Sequence, residues 1–413
     1  MNLIFLTLAH ISDINQRGIY NDLMRKFRDE GHNVYIVTAA ERRLGQETSL
    51  VESHGVHILN VKTLNVQKTS IVEKGIGTLL MESQYKAAIK KYLGNLEFDL
   101  ITYSTPPITF TNVVKYLKRK NPHAISYLQL KDIFPQNAVD IGMVKTTGVK
   151  GLLYKFFRNK EKALYRISDY IGCMSPANVD FLLKHNPEID AKRVEVAPNS
   201  IELIPELSAS EERAKRSTEQ TYIRYKYQLP SDKPILIYGG NLGKPQGIDF
   251  LIQCLEASKN RNDCFFVVVG NGTEYGKLKT WYNENLNFNE NVNIKVMQRL
   301  PKEDYYMLVR SCDVGLIFLD HRFTIPNYPS RLLSYLENKM PVICATDVNT
   351  DIGKIAEENG YGYWCESVKP EDFTALVNKM LASDMKAMGE RGYEFLKKNY
   401  LVEHTYNAIM KHI

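Results

Sequence analysis

The sequence predicts an α/β protein built from two doubly wound parallel sheets, on three observations. Short apolar runs alternate with longer helical patterns from one end of the chain to the other, the signature of repeated strand–helix–strand units. Its 413 residues exceed one domain of ordinary size. A polar, charged interruption at 203–230 splits the alternation into two halves.

In the first half, strands are expected at 3–8, 33–38, 56–61, 100–104, 124–130, 170–174 and 194–197. Helices are expected at 19–30, 72–93, 110–119, 151–167 and 177–185. After the interruption, strands are expected at 235–238, 265–269, 292–296, 314–319 and 341–345, with helices between. The domains read as 1–202, a linker region at 203–230, a second domain at 231–392, and terminal helices at 393–413 that reach back to the first domain. Two such units facing a cleft bind ligands at the carboxyl ends of their strands.

A hydrophobic content of 44% with 24% charged residues suits a soluble globular protein. The six cysteines show no paired spacing and read as reduced core residues of a cytosolic protein. Neither a signal peptide at the N-terminus nor a run of about 18 apolar residues long enough to span a membrane is visible. A net charge of +6 does not by itself indicate nucleic acid as a partner.

The most informative stretch is 234–248. An apolar run ending at Tyr238 breaks into a loop with glycines at 239, 240, 243 and 247, and a helical pattern begins at Ile248. Strand, glycine loop and helix N-terminus form an anion site, with free N–H groups and the helix dipole favouring phosphate. Lys244 adds a point charge. The same glycines also suit a plain tight turn, and Lys244 a solvated position. A second notable stretch carries Lys145, Lys150, Lys155, Arg158, Lys160, Lys162 and Arg166 among Leu152, Leu153, Tyr154, Phe156, Phe157, Leu164 and Tyr165. A basic, aromatic helix of this kind can lie on an anionic membrane or simply cover a sheet with its lysines in water.

Several segments, in order, resemble the nucleotide-binding domain of family 4 glycosyltransferases, which are retaining enzymes of the GT-B fold. They are Pro198-Asn199-Ser200-Ile201, the loop from Gly239 to Gly247, Val267 to Glu274, Gln298-Arg299-Leu300-Pro301, and Pro329-Ser330-Arg331-Leu332-Leu333-Ser334-Tyr335. In the first half, Gly18 opens a helix, and Asp132-Ile133-Phe134-Pro135 resembles a segment of bacterial polysaccharide transferases related to fucosamine-adding enzymes. The resemblance implies a nucleotide-diphosphate sugar donor, a uridine nucleotide, and a lipid-linked saccharide acceptor in capsule or O-antigen assembly. It assigns Asp132, Lys244 and Arg331 to catalysis. Donor binding falls to Gly18, Asn199, Gly240, Asn241, Gly243, Gln246, Gly270, Gly272, Glu274, Arg299, Leu300, Ser330, Leu332 and Ser334.

The chain departs from the family where two glutamates are usual, carrying Pro326 and Ser334. It also has Asn241 and Gln246 where the phosphate loop usually carries Arg and Lys, so Lys244 and Arg331 are expected to replace that charge. Asp132 also suits a helix cap, Arg331 a surface charge and Ser175 a cap; His10 and Asp13 are weaker candidates for ligand contact. No Asp-x-Asp pair or metal-spaced His/Cys cluster is present, so neither metal nor cofactor is expected. Dipoles, amides and cations then stabilise the leaving diphosphate. Two rivals stay open: a non-hydrolysing UDP-sugar 2-epimerase, and a catalytically silent GT-B partner subunit. The expected location is cytoplasmic, peripheral on the inner face of the plasma membrane. Each basic residue near an anionic surface contributes about 1 kcal/mol, so attachment is expected to be released by salt.

Overall fold

The computed structural model describes residues 1–66, 69, 71–204, 208–285 and 293–413. The chain divides into two compact units, Met1–Glu202 with Tyr400–Ile413, and Leu203–Asn399. Each is a Rossmann-like α/β unit.

The first unit runs β1 (Asn2–Leu6), α1 (Ile19–Asp29), β2 (Asn33–Glu41), β3 (Ser49–Ser53), β4 (Val56–Thr63), α2 (Ile71–Tyr92), β5 (Leu100–Ser104), α3 (Thr111–Lys120), β6 (Ile125–Leu130), α4 (Gln136–Asp140), α5 (Gly148–Ile167), β7 (Tyr170–Cys173), α6 (Pro176–His185) and β8 (Val194–Val196). Its sheet has the order β3-β4-β2-β1-β5-β6-β7-β8. All neighbours are parallel except β3 on β4. Buried on both faces, the central strands read as unbroken apolar runs, as parallel strands covered by helices must. Strand order reverses between β1 and β5, so the ligand position of this unit lies beyond Leu6 and Ser104.

The second unit begins with α7 (Ala209–Lys226). It continues with β9 (Ile235–Asn241), α8 (Ile248–Ser258), β10 (Phe265–Asn271), α9 (Tyr275–Asn285), β11 (Ile294–Gln298), α10 (Lys302–Arg310), β12 (Val314–Phe318), α11 (Arg331–Glu337), β13 (Val342–Thr346), α12 (Ile352–Glu358), β14 (Gly362–Glu366), α13 (Pro370–Leu381) and α14 (Met385–Asn399). The six strands are parallel in the order β11-β10-β9-β12-β13-β14. Here the order reverses between β9 and β12. The chain then returns to the first unit as α15 (Val402–Met410), whose Val402 and Ile409 join a core that includes Leu23 and Phe27.

Three features differ from the sequence expectation. Most of 203–230 is α7, packed on α10, rather than a bare linker. A capping box starts it: the Ser208 hydroxyl accepts from the Glu211 N–H, and the Glu211 carboxylate accepts from the Ser208 N–H. The terminal helices part company, α14 staying with the second unit and α15 joining the first. Strands β3 and β14, each at a sheet edge, were not expected. Pro205 and Val292, the expected linker proline and the expected start of β11, lie outside the described residues.

All six cysteines are buried and unpaired. Among the described residues, no helix is long and apolar enough to cross a membrane.

Candidate functional site

At the switch point of the second unit, β9 carries its pairing with β10 out to Asn241. Buried Leu242 then pins the chain, and a single tight turn, Lys244–Gln246, leads into α8. The loop closes on itself: Gln246 Oε1 accepts from the Gly243 N–H at 3.1 Å and from Asn241 Nδ2 at 2.9 Å. These two side chains therefore shape the loop. Gly270 and Gly272 do likewise from β10, because a Cβ at Gly270 would sit 1.9 Å from the Gly240 carbonyl and one at Gly272 would sit 2.2 Å from that of Leu242. Glu274 belongs to the same contact, its N–H donating to the Leu242 carbonyl at 2.9 Å.

Arg331, the first residue of α11, reaches this loop. Its guanidinium lies 4.3 Å from the centre of the Tyr238 ring, and a Cβ at Gly240 would approach it to 3.5 Å. Nη1 is buried with no hydrogen-bond partner among the described residues. Among the described residues, no carboxylate lies within 4 Å of it. Burial opposes its charge, but the rings and hydroxyls of Tyr238, Tyr335 and Tyr305 favour it, and the balance leaves the guanidinium above its usual range. Burial pushes the Tyr305 hydroxyl up to about 12, so that group stays neutral. With its face on the Tyr238 ring, the guanidinium keeps the donor capacity of the buried Nη1 unspent beside a glycine bend.

Lys244 is exposed on the same loop, also without a carboxylate among the described residues. Ser330 is exposed and Ser334 half-buried on α11. Leu332 is a core side chain, and its N–H is already bonded to the Pro329 carbonyl. Arg299, exposed, and Leu300 follow β11, two strands from the switch point.

The first unit holds a different cluster. The Thr105 hydroxyl accepts from the N–H groups of Lys131 and Asp132, each at 3.0 Å, and pins the turn after β6. Burial raises the Asp132 carboxyl to about 6, although Asn137 Nδ2 at 2.7 Å and the Ile133 amide stabilise its charge. The Tyr20 hydroxyl is pushed up by burial and further by the Asp132 charge. Lys131 is a residue that sequence reasoning missed. Its ammonium donates to the Ala197 carbonyl at 3.3 Å, and burial lowers it to about 7. Nothing in the local sequence separates it from a solvated lysine.

Asn199 is buried here, its Nδ2 against Met174 Sδ at 3.5 Å and its Oδ1 without a partner. The Gly18 amide donates to Asp22 Oδ1 at 3.0 Å, so the first turn of α1 already holds a carboxylate. That carboxylate is bound in turn by Arg25, which also pairs with Glu202. His10 is exposed, and Asp13 is tied to the Asn15 amide. Ser175 shows no capping hydrogen bond to the backbone of α6. Among the described residues, no group of three or more His, Cys, Asp or Glu side chains is placed to hold a metal ion.

Residues 219–395 match the family described as glycosyl transferases group 1. A probable glycosyltransferase, WbjE of Pseudomonas aeruginosa, is 21% identical over 282 residues, 66% of this chain and 64% of that protein. WcaI of Escherichia coli K12, a putative colanic acid biosynthesis glycosyl transferase, is 24% identical over 158 residues, 38% of this chain and 36% of its own. The aligned stretches thus span less than two thirds of these relatives' length. Among solved structures, Thermosynechococcus elongatus sucrose-phosphate synthase superposes with a TM-score of 0.74 at 14% identity, covering 100% of this chain and 98% of that one. Anabaena HepE, in complex with UDP, gives 0.66 at 13% identity over 100% and 99%. WaaG, a lipopolysaccharide-biosynthesis glycosyltransferase, gives 0.63 at 14% over 98% of each chain. These matches do not favour the epimerase reading. Residues 219–395 thus resemble group 1 glycosyl transferases, and the chain has the GT-B fold of two Rossmann-like units.

Proposed function

We propose that this protein transfers a sugar from a uridine-diphosphate sugar to a hydroxyl of a lipid-linked saccharide, with retention of configuration, in the assembly of a surface polysaccharide. The observation that carries the proposal is Arg331: a guanidinium with a buried, unpartnered Nη1 and no acidic partner among the described residues, aimed at a glycine bend on a switch point. A diphosphate supplies the missing acceptor atoms and the missing negative charge. The names of WbjE and WcaI support a polysaccharide product, and HepE, solved with UDP and with UDP-glucose, supports the nucleotide.

In this reading Arg331 holds the diphosphate and stabilises the charge that develops as it leaves, so no metal is required. Lys244 adds an outer charge, and the exposed Gly240 and Asn241 line the approach. The acceptor hydroxyl attacks from the face the diphosphate departs, and the departing phosphate takes its proton. Asp132, in the first unit, accepts a hydrogen bond from that hydroxyl and orients it. This is the retaining chemistry of family 4, and a lipid-linked acceptor places the protein peripherally on the cytoplasmic membrane surface.

Calorimetry with uridine diphosphate in the presence of EDTA tests the donor site, and saturable binding is expected. Absence of binding would leave the silent-subunit reading. NMR of the product should show the donor's anomeric configuration preserved. An inverted product rejects retention, and isomerised donor formed without acceptor means an epimerase.

A further inference from the structure

The proposed reaction leaves one titratable group of the first unit without work, the ammonium of Lys131. This residue stands directly after β6, its N–H held by the Thr105 hydroxyl at 3.0 Å. Its side chain is half-buried. Among the described residues the ammonium makes one hydrogen bond, to the Ala197 carbonyl at 3.3 Å. That is longer than the usual range of about 2.7–3.2 Å, and an ammonium has further donors to offer. No carboxylate among the described residues pairs with it, and burial lowers it to about 7.

The acidic groups of the neighbouring strand ends are committed elsewhere. Asp132, next in sequence, takes Asn137 Nδ2 and the Ile133 amide. Glu195 of β8 takes the Tyr127 hydroxyl at 2.8 Å, meets His412 Nε2 at 2.9 Å and pairs with Lys411. The Cys173 sulfur favours the Lys131 charge, but burial pushes that thiol up to about 12, so it stays neutral. A buried ammonium without a counter-charge is costly, and a lysine kept for its stem alone turns its head to water. Lys131 holds its head inward all the same.

Its place in the sheet gives that geometry a purpose. Leu130, Cys173 and Val196 end the neighbouring strands β6, β7 and β8. Lys131 reaches across them to Ala197, whose N–H donates to the Cys173 carbonyl at 2.7 Å. This is the carboxyl edge of a parallel sheet, where such units receive ligands. On the same edge Asn199 is 7% exposed, with Nδ2 against Met174 Sδ and Oδ1 buried without a partner among the described residues. An unused cation calls for an oxoanion, and an unused amide oxygen calls for a hydroxyl. A saccharide bearing a carboxylate or a phosphate ester offers both.

We propose that Lys131 selects an acceptor saccharide that carries an oxoanion, either a uronate carboxylate or a phosphate ester. The inference rests on the proposed transfer to a saccharide hydroxyl, and it adds the charge of that saccharide. Saturation-transfer NMR on the full chain tests it at slightly acidic pH, with methyl glycosides of glucose and galactose, the matching uronides and the matching phosphate esters. The charged forms should bind about tenfold more tightly than the neutral ones, as one charge-assisted hydrogen bond supplies. The tighter of the two charged forms names the oxoanion. Lys131→Met keeps the stem and should bring charged and neutral sugars within about twofold of each other, with binding of the neutral sugars as its folding control. Lys131→Arg should keep the preference. Calorimetry of the charged sugar in buffers of different ionisation heat should show proton uptake by the wild type above pH about 7, as the ammonium regains its charge, and none by the Arg variant. Equal binding of charged and neutral sugars, a preference that survives Lys131→Met, or no binding of any of these sugars overturns the inference. Anion-selective binding without sugar transfer leaves it standing and removes the proposed function; transfer to charged and neutral acceptors alike does the reverse.

Discussion

The switch point of the second unit and the β6 turn of the first both lie at the carboxyl edge of a parallel sheet, yet they are equipped for different work. One gathers a cation, glycines and tyrosines, with no carboxylate of the described residues within the cation's reach. The other holds the Asp132 carboxyl, raised to about 6, and the ammonium of the preceding residue, Lys131, lowered to about 7. A group such as Arg331 offers a fixed charge at any working pH. Asp132 and Lys131 change charge state near neutrality, so their contribution varies with conditions. The same architecture thus provides a place to hold an anion and a place to orient a hydroxyl.

The sharpest way to break this contrast is Asp132→Asn. Turnover should fall on the order of 100-fold, as expected for a misoriented acceptor, with uridine diphosphate affinity unchanged by calorimetry. Loss of nucleotide binding would abolish the division of labour. In the wild type, turnover should decline as pH falls through about 6 and the carboxylate gains a proton, and the Asn variant should lack that limb. Next in size, Arg331→Ala should weaken nucleotide binding by roughly 1.5–3 kcal/mol, read by the same calorimetry; an unchanged affinity would leave the buried cation structural. Gly270→Ala separates packing from binding, because its Cβ meets the Gly240 carbonyl. A loss of about 1–3 kcal/mol in denaturant unfolding is expected, and an unperturbed midpoint would show that the contact relaxes freely. Lys244→Ala should give the smallest change, under about 1 kcal/mol in nucleotide affinity, and should fade with added salt.

Much of the architecture was legible because buried parallel strands leave unbroken apolar runs, as at Ile235–Tyr238 and Phe265–Val269. The edge strands lacked that signal: β3 leaves Leu50 and Val51 exposed, and β14 opens on a glycine. Helix α7 is polar around most of its circumference, so periodicity could not mark it, although Ser208 and Glu211 stand at capping-box spacing. The glycine loop and Arg331 were visible as residue types. That Gln246 and Asn241 close the loop, or that Arg331 Nη1 has no acceptor among the described residues, depends on contacts made only in the fold. Lys131 meets its carbonyl 66 residues away, and no local pattern announces such a pairing.

Helix α15 has a consequence for how the molecule is made. Val402 and Ile409 complete the core around Leu23 and Phe27, and the Ser200 hydroxyl bonds to Thr405 at 2.8 Å. The half of the protein synthesised first is therefore finished last, after every residue of the other half has left the ribosome. Until then the surface that α15 will cover on α1 stays open. The order of emergence and the order of completion run opposite ways, and a tag or truncation at the C-terminus is felt in the N-terminal unit.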